Sequence, residues 1–130
     1  MGPARKDQAR REQMLRERAQ TSPLRSVFPQ VGQLRVELAF SDTRAQSPSP
    51  QVHTLYPAAP AFFRFACPCA DCDGDFDLTT AVKSLLNGAL TRQRTASGQA
   101  ACDGARFRGP ADTMCSMQLA FRLVSSPAAQ

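Results

Sequence analysis

The sequence predicts an α+β fold: a small, mostly antiparallel β-sheet with one packed α-helix, preceded by a basic N-terminal helix. Apolar and polar residues alternate from Leu34 to Ser41 and again from Cys115 to Val124, which is typical of strands with one buried face. Apolar residues with helical spacing occur at Leu78, Val82, Leu85 and Leu86, and they predict an amphipathic helix that lies on that sheet. We expect four or five strands in all.

Residues 1–23 are predicted to form a basic arm that is either helical or disordered. The first 25 residues hold seven Arg or Lys against three Asp or Glu, and this difference of +4 supplies most of the net charge of +5. Strong helix formers favour a helix here, but it has almost no apolar stripe and is marginal alone. The arm is therefore either a solvated tail or a segment that becomes ordered on the phosphate groups of nucleic acid.

The remaining chain is predicted to be one domain over residues 24–126, followed by a frayed tail at 127–130. A polar loop at residues 42–51 leads from the first strand to a short one at 52–56, and a proline-rich bend then leads to a strand at 62–67. The helix is expected to be capped by Asp77 and to stop at Gly88. Residues 89–101 are expected to be a connection that leads into the second group of cysteines.

Cysteines form the most distinctive pattern in the chain. Cys67, Cys69 and Cys72 lie within six residues, and the tripeptide Cys-Asp-Gly at 72–74 returns at 102–104. A turn with closely spaced thiolates suits a tetrahedral zinc site, and a glycine two residues past a ligand allows a positive φ that turns a backbone N–H toward the sulfur. Because five is an odd number, a disulfide framework is a poor fit.

We therefore predict one structural Zn²⁺ bound by four thiolates, with Cys69 as the alternate to Cys67. The commoner pair spacing favours Cys69, whereas Cys67 ends an apolar strand that would hold it rigidly. The domain is small, so a bound metal would contribute much of its stability. The predicted ligands are Cys67, Cys72, Cys102 and Cys115.

At this level the pattern resembles zinc-ribbon proteins, which hold one metal between two knuckles on β-hairpins. The resemblance covers about residues 61–125. The chain departs from the usual form in having a long, helical-looking insert between the knuckles and an uneven second pair. Four thiolates would fill every corner of the site and leave no open position for water or substrate.

The remaining sequence features argue against several classes of protein. No apolar run approaches the ~18 residues of a membrane span. The cysteine usage and the absence of a secretory signal pattern lead us to expect a soluble, cytoplasmic protein with no membrane partner. One histidine, and no Ser-His-Asp group, phosphate loop or acid/base pair, lead us to expect a non-enzyme.

Two functions fit these expectations, with a third less favoured. The first is binding to nucleic acid or a ribonucleoprotein through the arm and two Arg-x-Arg pairs. The alternative is a protein–protein interaction adaptor whose arm folds onto an acidic partner protein. The third is a thiol redox sensor that uses the spare cysteine, Cys69 or Cys67. The candidate nucleic-acid contacts are Arg5, Lys6, Arg10, Arg11, Arg92, Arg94, Arg106 and Arg108.

Overall fold

A computed structural model describes residues 3–42, 48–69, 72, 74–88, 91–102 and 115–128. The α+β architecture predicted from the sequence is confirmed. None of the helices in these ranges combines the length and the apolar character that a membrane crossing needs. In chain order the elements are α1 (Pro3–Gln20), α2 (Leu24–Val27), β1 (Val31–Asp42), β2 (Gln51–Leu55), β3 (Arg64–Ala66), β4 (Asp75–Asp77), α3 (Thr79–Leu85), β5 (Arg94–Ala101) and β6 (Met117–Pro127).

The main sheet has four antiparallel strands in the order β2-β1-β6-β5. Its centre is the pair β1 and β6, which runs from Val31 opposite Pro127 to Asp42 opposite Met117. These are the two strands that the alternating patterns predict most clearly. A long strand with one apolar face buries more surface beside another such strand than at an edge, which explains their central position.

The inner face of this sheet forms the core together with α3. The helix packs on β5 and β6, and both its Val82 and the residue that caps its C-terminal end, Leu86, are fully buried. Phe76 of β4 lies against Phe40 of β1, with ring centroids 5.8 Å apart. The buried inner-face residues of the two central strands are Leu34, Val36, Leu38, Phe40, Met117, Leu119 and Leu123.

Strand β5 differs from the connection that the sequence leads us to expect over residues 89–101. It pairs with β6 along its whole length, from Arg94 opposite Ser125 to Ala101 opposite Gln118. Its side chains are mostly Ala, Ser, Thr, Gln and Gly, so the alternation between its two faces carries almost no hydrophobic signal. The strand is specified by its neighbour in the sheet rather than by its own composition.

Strands β3 and β4 form a separate two-stranded sheet. The predicted strand at residues 62–67 is therefore shorter than expected, and the acidic run after the first cysteines includes a strand before the helix begins. The N-cap of α3 is Leu78, one residue after the predicted cap, but Asp77 still accepts a hydrogen bond from the Thr79 N–H at 3.0 Å. Gly88 has φ of +84°, as a glycine stop after a helix requires.

Helix α1 and strand β6 are the first and last elements of the described chain. Helix α1 ends at Gln20, before the predicted start of the domain at residue 24. Strand β6 extends to Pro127, and the Ala128 N–H donates to the Gln30 carbonyl at 2.9 Å. These two residues therefore belong to the fold, although the sequence places them in a frayed tail.

Candidate metal centre

Four cysteine sulfurs meet at one point of the structure. The Sγ atoms of Cys67, Cys72, Cys102 and Cys115 all lie within 4.8 Å of one another, and all four residues are buried. The sulfurs of Cys67 and Cys115 are 3.8 Å apart, and those of Cys72 and Cys102 are 3.5 Å apart. An ion at the centre of a tetrahedron with metal–sulfur bonds of about 2.3 Å places its sulfurs about 3.8 Å from each other. The group therefore has the dimensions needed to hold one metal ion.

Each pair of cysteines lies where two strands of a hairpin meet. Cys67 directly follows β3 and Cys72 lies shortly before β4, whereas Cys102 directly follows β5 and Cys115 shortly precedes β6. Backbone hydrogen bonds hold both ends together: the Cys67 N–H donates to the Gly74 carbonyl and the Cys102 N–H to the Met117 carbonyl, each at 3.0 Å. The site thus joins the small sheet to the main one.

The first knuckle has the hydrogen bond that its glycine predicts. The Gly74 N–H donates to the Cys72 Sγ at 3.2 Å, which stabilises negative charge on that sulfur. The corresponding glycine of the second knuckle, Gly104, lies outside the described residues. Of the two candidates for the remaining ligand, the structure places Cys67 in the group, while Cys69 is half-buried beside it.

The four sulfurs are buried, and burial disfavours negative charge on them. Burial raises the pKa of the Cys72 thiol well above its ordinary value, and the neighbouring Cys102 and Cys115 thiols raise it further against the opposing effect of the Gly74 N–H. As thiolates, sulfurs buried this deeply would need a cation, and a bound metal ion would supply it. None of the five cysteines, all of which lie in described positions, forms a disulfide.

An arginine from the N-terminal helix completes the surroundings of the site. The Arg11 Nη2 donates to the carbonyl oxygen of Cys67 at 3.2 Å and to that of Cys72 at 2.9 Å. Nearby, Arg64 of β3 joins Glu17 of α1 to Asp75 of β4, with distances of 2.6 and 2.7 Å. The hydrogen bond to Asp75 raises the pKa of Arg64. The sequence indicates a basic helix here but carries no sign of where it docks.

The cationic residues predicted to contact nucleic acid have varied surroundings. Arg92 is exposed. Arg94 instead donates to the Leu85 and Asn87 carbonyls at 3.2 and 2.8 Å, so its guanidinium lies against the end of α3. Arg106 and Arg108 lie outside the described residues, as do the side chains of Arg5, Lys6 and Arg10 in α1.

The single histidine lies on β2 and is not a member of the four-sulfur group. His53 Nε2 is 2.9 Å from Gln51 Oε1, and its ring packs on Phe65 with centroids 5.0 Å apart. Burial, and secondarily the charge of Arg18, lower the pKa of His53. The residue is thus part of the packing between β2 and β3.

Comparison with protein-family models, curated proteins and solved structures finds no match to this chain. Its class therefore follows from the fold and the site alone. It is a small α+β protein with a buried four-cysteine group that can hold a metal ion. The two-knuckle arrangement is compatible with a zinc-ribbon-like site, without any family or fold match to support that resemblance.

Proposed function

We propose that the four cysteines bind one Zn²⁺ with a structural, non-catalytic role. The observation that carries this proposal is the mutual distance of four buried sulfurs, which suits a single tetrahedral ion. A tetrathiolate set favours zinc or iron among the common metals. A two-iron cluster would divide the cysteines between two metal atoms and hold them farther apart. With all four corners occupied by sulfur, the metal has no position for substrate.

Native mass spectrometry of freshly purified protein tests this proposal. The mass difference between the native and the acid-denatured chain reports the number of bound ions, and elemental analysis of the same sample identifies the metal. We expect one zinc per chain. A chain that is folded without metal, or that holds iron, contradicts the proposal.

We further propose that the protein binds nucleic acid, free or in a ribonucleoprotein. Support comes from the charge of the N-terminal segment. Ten of the residues in positions 1–25 are charged, with a surplus of four cations, and most of them lie on the helix α1. Cations on a helix can contact successive phosphates, and Arg92 is a further exposed cation. In this proposal the metal holds the domain together while the cations make the contacts.

Fluorescence anisotropy with a labelled single-stranded RNA tests the partner. We expect affinity to fall steeply between 50 and 200 mM salt, and Arg10→Gln and Arg92→Gln each to weaken binding and reduce the salt slope by about one. Lys83→Gln is the matched control, because Lys83 is an exposed cation on α3 outside the proposed contacts. Equal effects of all three variants, or binding that does not respond to salt, contradict the proposal.

One observation favours a protein partner as a second candidate. The outer face of the main sheet has a shallow hollow of about 560 Å³ over the small residues Ala39 and Ala120, and the nearby Val52 is 54% exposed. An adaptor would be captured with its partner protein from nuclease-treated extract, whereas a nucleic-acid complex would be lost.

The redox alternative requires Cys69 to form a disulfide with a ligand cysteine under mild oxidant, with release of the metal, and mass spectrometry detects both.

A further inference from the structure

Helix α1 contacts the metal centre through the backbone of two ligand residues. The two carbonyl oxygens that accept from Arg11 belong to Cys67 and Cys72, which lie five positions apart in one loop. One guanidinium nitrogen reaches both only when the loop brings these carbonyls together. That convergence depends on the closure of the loop around the sulfurs, because both residues also point their Sγ atoms into the same group.

A second anchor lies farther along the same helix. Glu17 pairs with Arg64 of β3, and Arg64 in turn pairs with Asp75 of β4, so this contact also ends on the hairpin that carries the first knuckle. From Arg11 to Glu17 the helix rises about 9 Å. From Cys67 back to Arg64 the strand covers about 10 Å. The two lengths match, and α1 runs alongside β3 in the opposite direction.

Few apolar contacts hold α1 in this position. Arg11, Met14 and Glu17 are each half-buried. Met14 and Leu15 line a small hollow against β2 and β3, but Leu15 is still 60% exposed. A helix with so little apolar surface to bury is marginal on its own. Its docking therefore depends on the polar contacts to the β3–β4 hairpin.

Electrostatics link these contacts to the ion. A divalent ion bound by four thiolates carries two net negative charges, and the guanidinium of Arg11 lies directly behind two of the ligands. Hydrogen bonds from a charged donor are about twice as strong as neutral ones, and groups behind the ligands affect metal affinity. A filled site therefore attracts the helix, and the docked helix stabilises the filled site.

We propose that the docking of α1 depends on the metal. The bound ion keeps together the two carbonyl oxygens that accept hydrogen bonds from Arg11, and release of the ion releases the basic helix. This inference rests on the proposed metal site. Because coupling between two equilibria is reciprocal, α1 must also increase the affinity for the ion. The bound ion thus keeps Arg11, and the helix that carries it, against the β3–β4 hairpin.

Arg11→Gln and the matched control Arg16→Gln test the coupling in the full chain. Both variants remove one positive charge from α1, but Arg16 is exposed and, within the described part of the chain, donates to Gln13 on the same helix. Competition for Zn²⁺ with a coloured chelator gives the affinities. We expect Arg11→Gln to bind zinc about tenfold more weakly than the wild-type chain and Arg16→Gln to bind it within about twofold.

Hydrogen exchange of the zinc-loaded chains supplies a readout that metal affinity alone does not. In Arg11→Gln the amides of α1 should exchange about tenfold faster while those of β1 and β6 keep their protection, because only the docking contact is lost. Unchanged protection of α1, or equal effects of the two variants, overturns the coupling. If the wild-type chain binds no ion, the proposed metal site itself fails; if it binds one and the variants behave alike, only the coupling fails.

Discussion

Replacing Cys72 with serine removes one sulfur from the centre of the molecule. Its Sγ is fully buried, lies 3.5 Å from that of Cys102 and accepts the Gly74 N–H. A serine hydroxyl is a poor zinc ligand, so three sulfurs would remain to hold the ion. The variant therefore tests whether the fold depends on the complete site.

The expected effect is as large as the stability of the whole domain. Structural zinc contributes roughly 10–16 kcal/mol of apparent binding free energy at pH 7 in small zinc domains. A domain of ordinary size is stable by only about 5–15 kcal/mol. Here the sulfurs join the hairpin of β3 and β4 to the main sheet, so losing the ion would leave the packing of Phe76 on Phe40 to hold the two parts together. We expect Cys72→Ser to lack a cooperative unfolding transition at 25 °C.

Cys69→Ser is the matched control, because it makes the same chemical change three positions away. Cys69 is half-buried and its sulfur is outside the group of four, so we expect its free energy of unfolding to change by about 1 kcal/mol or less. Urea unfolding followed by circular dichroism, with zinc content measured on the same samples, compares the two. The reasoning fails if Cys72→Ser unfolds at the wild-type urea midpoint, or if both serine variants are equally damaged.

Three further predictions concern residues outside the four-sulfur group. Gly32→Ala should lower the free energy of unfolding by about 1–3 kcal/mol, because a β-carbon there would lie 2.5 Å from the Pro127 carbonyl oxygen; an unchanged urea midpoint contradicts this. The pKa of the His53 imidazole, measured by NMR, should lie below 6.5, because burial disfavours its cation. The folded state should therefore lose stability as the pH falls from 6.5 toward this lowered pKa, and a midpoint above 6.5 contradicts the prediction. Asp77→Ala should cost about 1 kcal/mol by removing the acceptor for the Thr79 N–H, and Asp77→Asn, which keeps an acceptor, should cost clearly less.

Features with a strong local pattern could be predicted from the sequence. The alternation in β1 and β6 and the helical spacing of α3 each mark one apolar face, and a face of that kind has few ways to be buried. Cysteine spacing likewise indicated a four-sulfur site, because unlinked thiols have no reason to recur in paired Cys-Asp-Gly turns. Each of these predictions depends on a pattern that is local in the sequence.

Other features depend on neighbours that are distant in sequence. Strand β5 has small, polar side chains and is held by its pairing with β6, so its own residues look like a connection. The docking of α1 depends on two carbonyl oxygens more than fifty residues away from Arg11, and backbone atoms leave no trace in a residue pattern. The same holds for Arg94, whose partners are carbonyls of the residues that end α3.

X-ray absorption at the metal edge tests the central claim most directly, because it identifies the metal and its ligand atoms in one experiment on the intact chain. The account predicts zinc surrounded by four sulfur atoms at about 2.3 Å, from the cysteines whose sulfurs lie within 4.8 Å of one another. A folded chain without metal, or a shell that contains nitrogen or oxygen in place of sulfur, would contradict it.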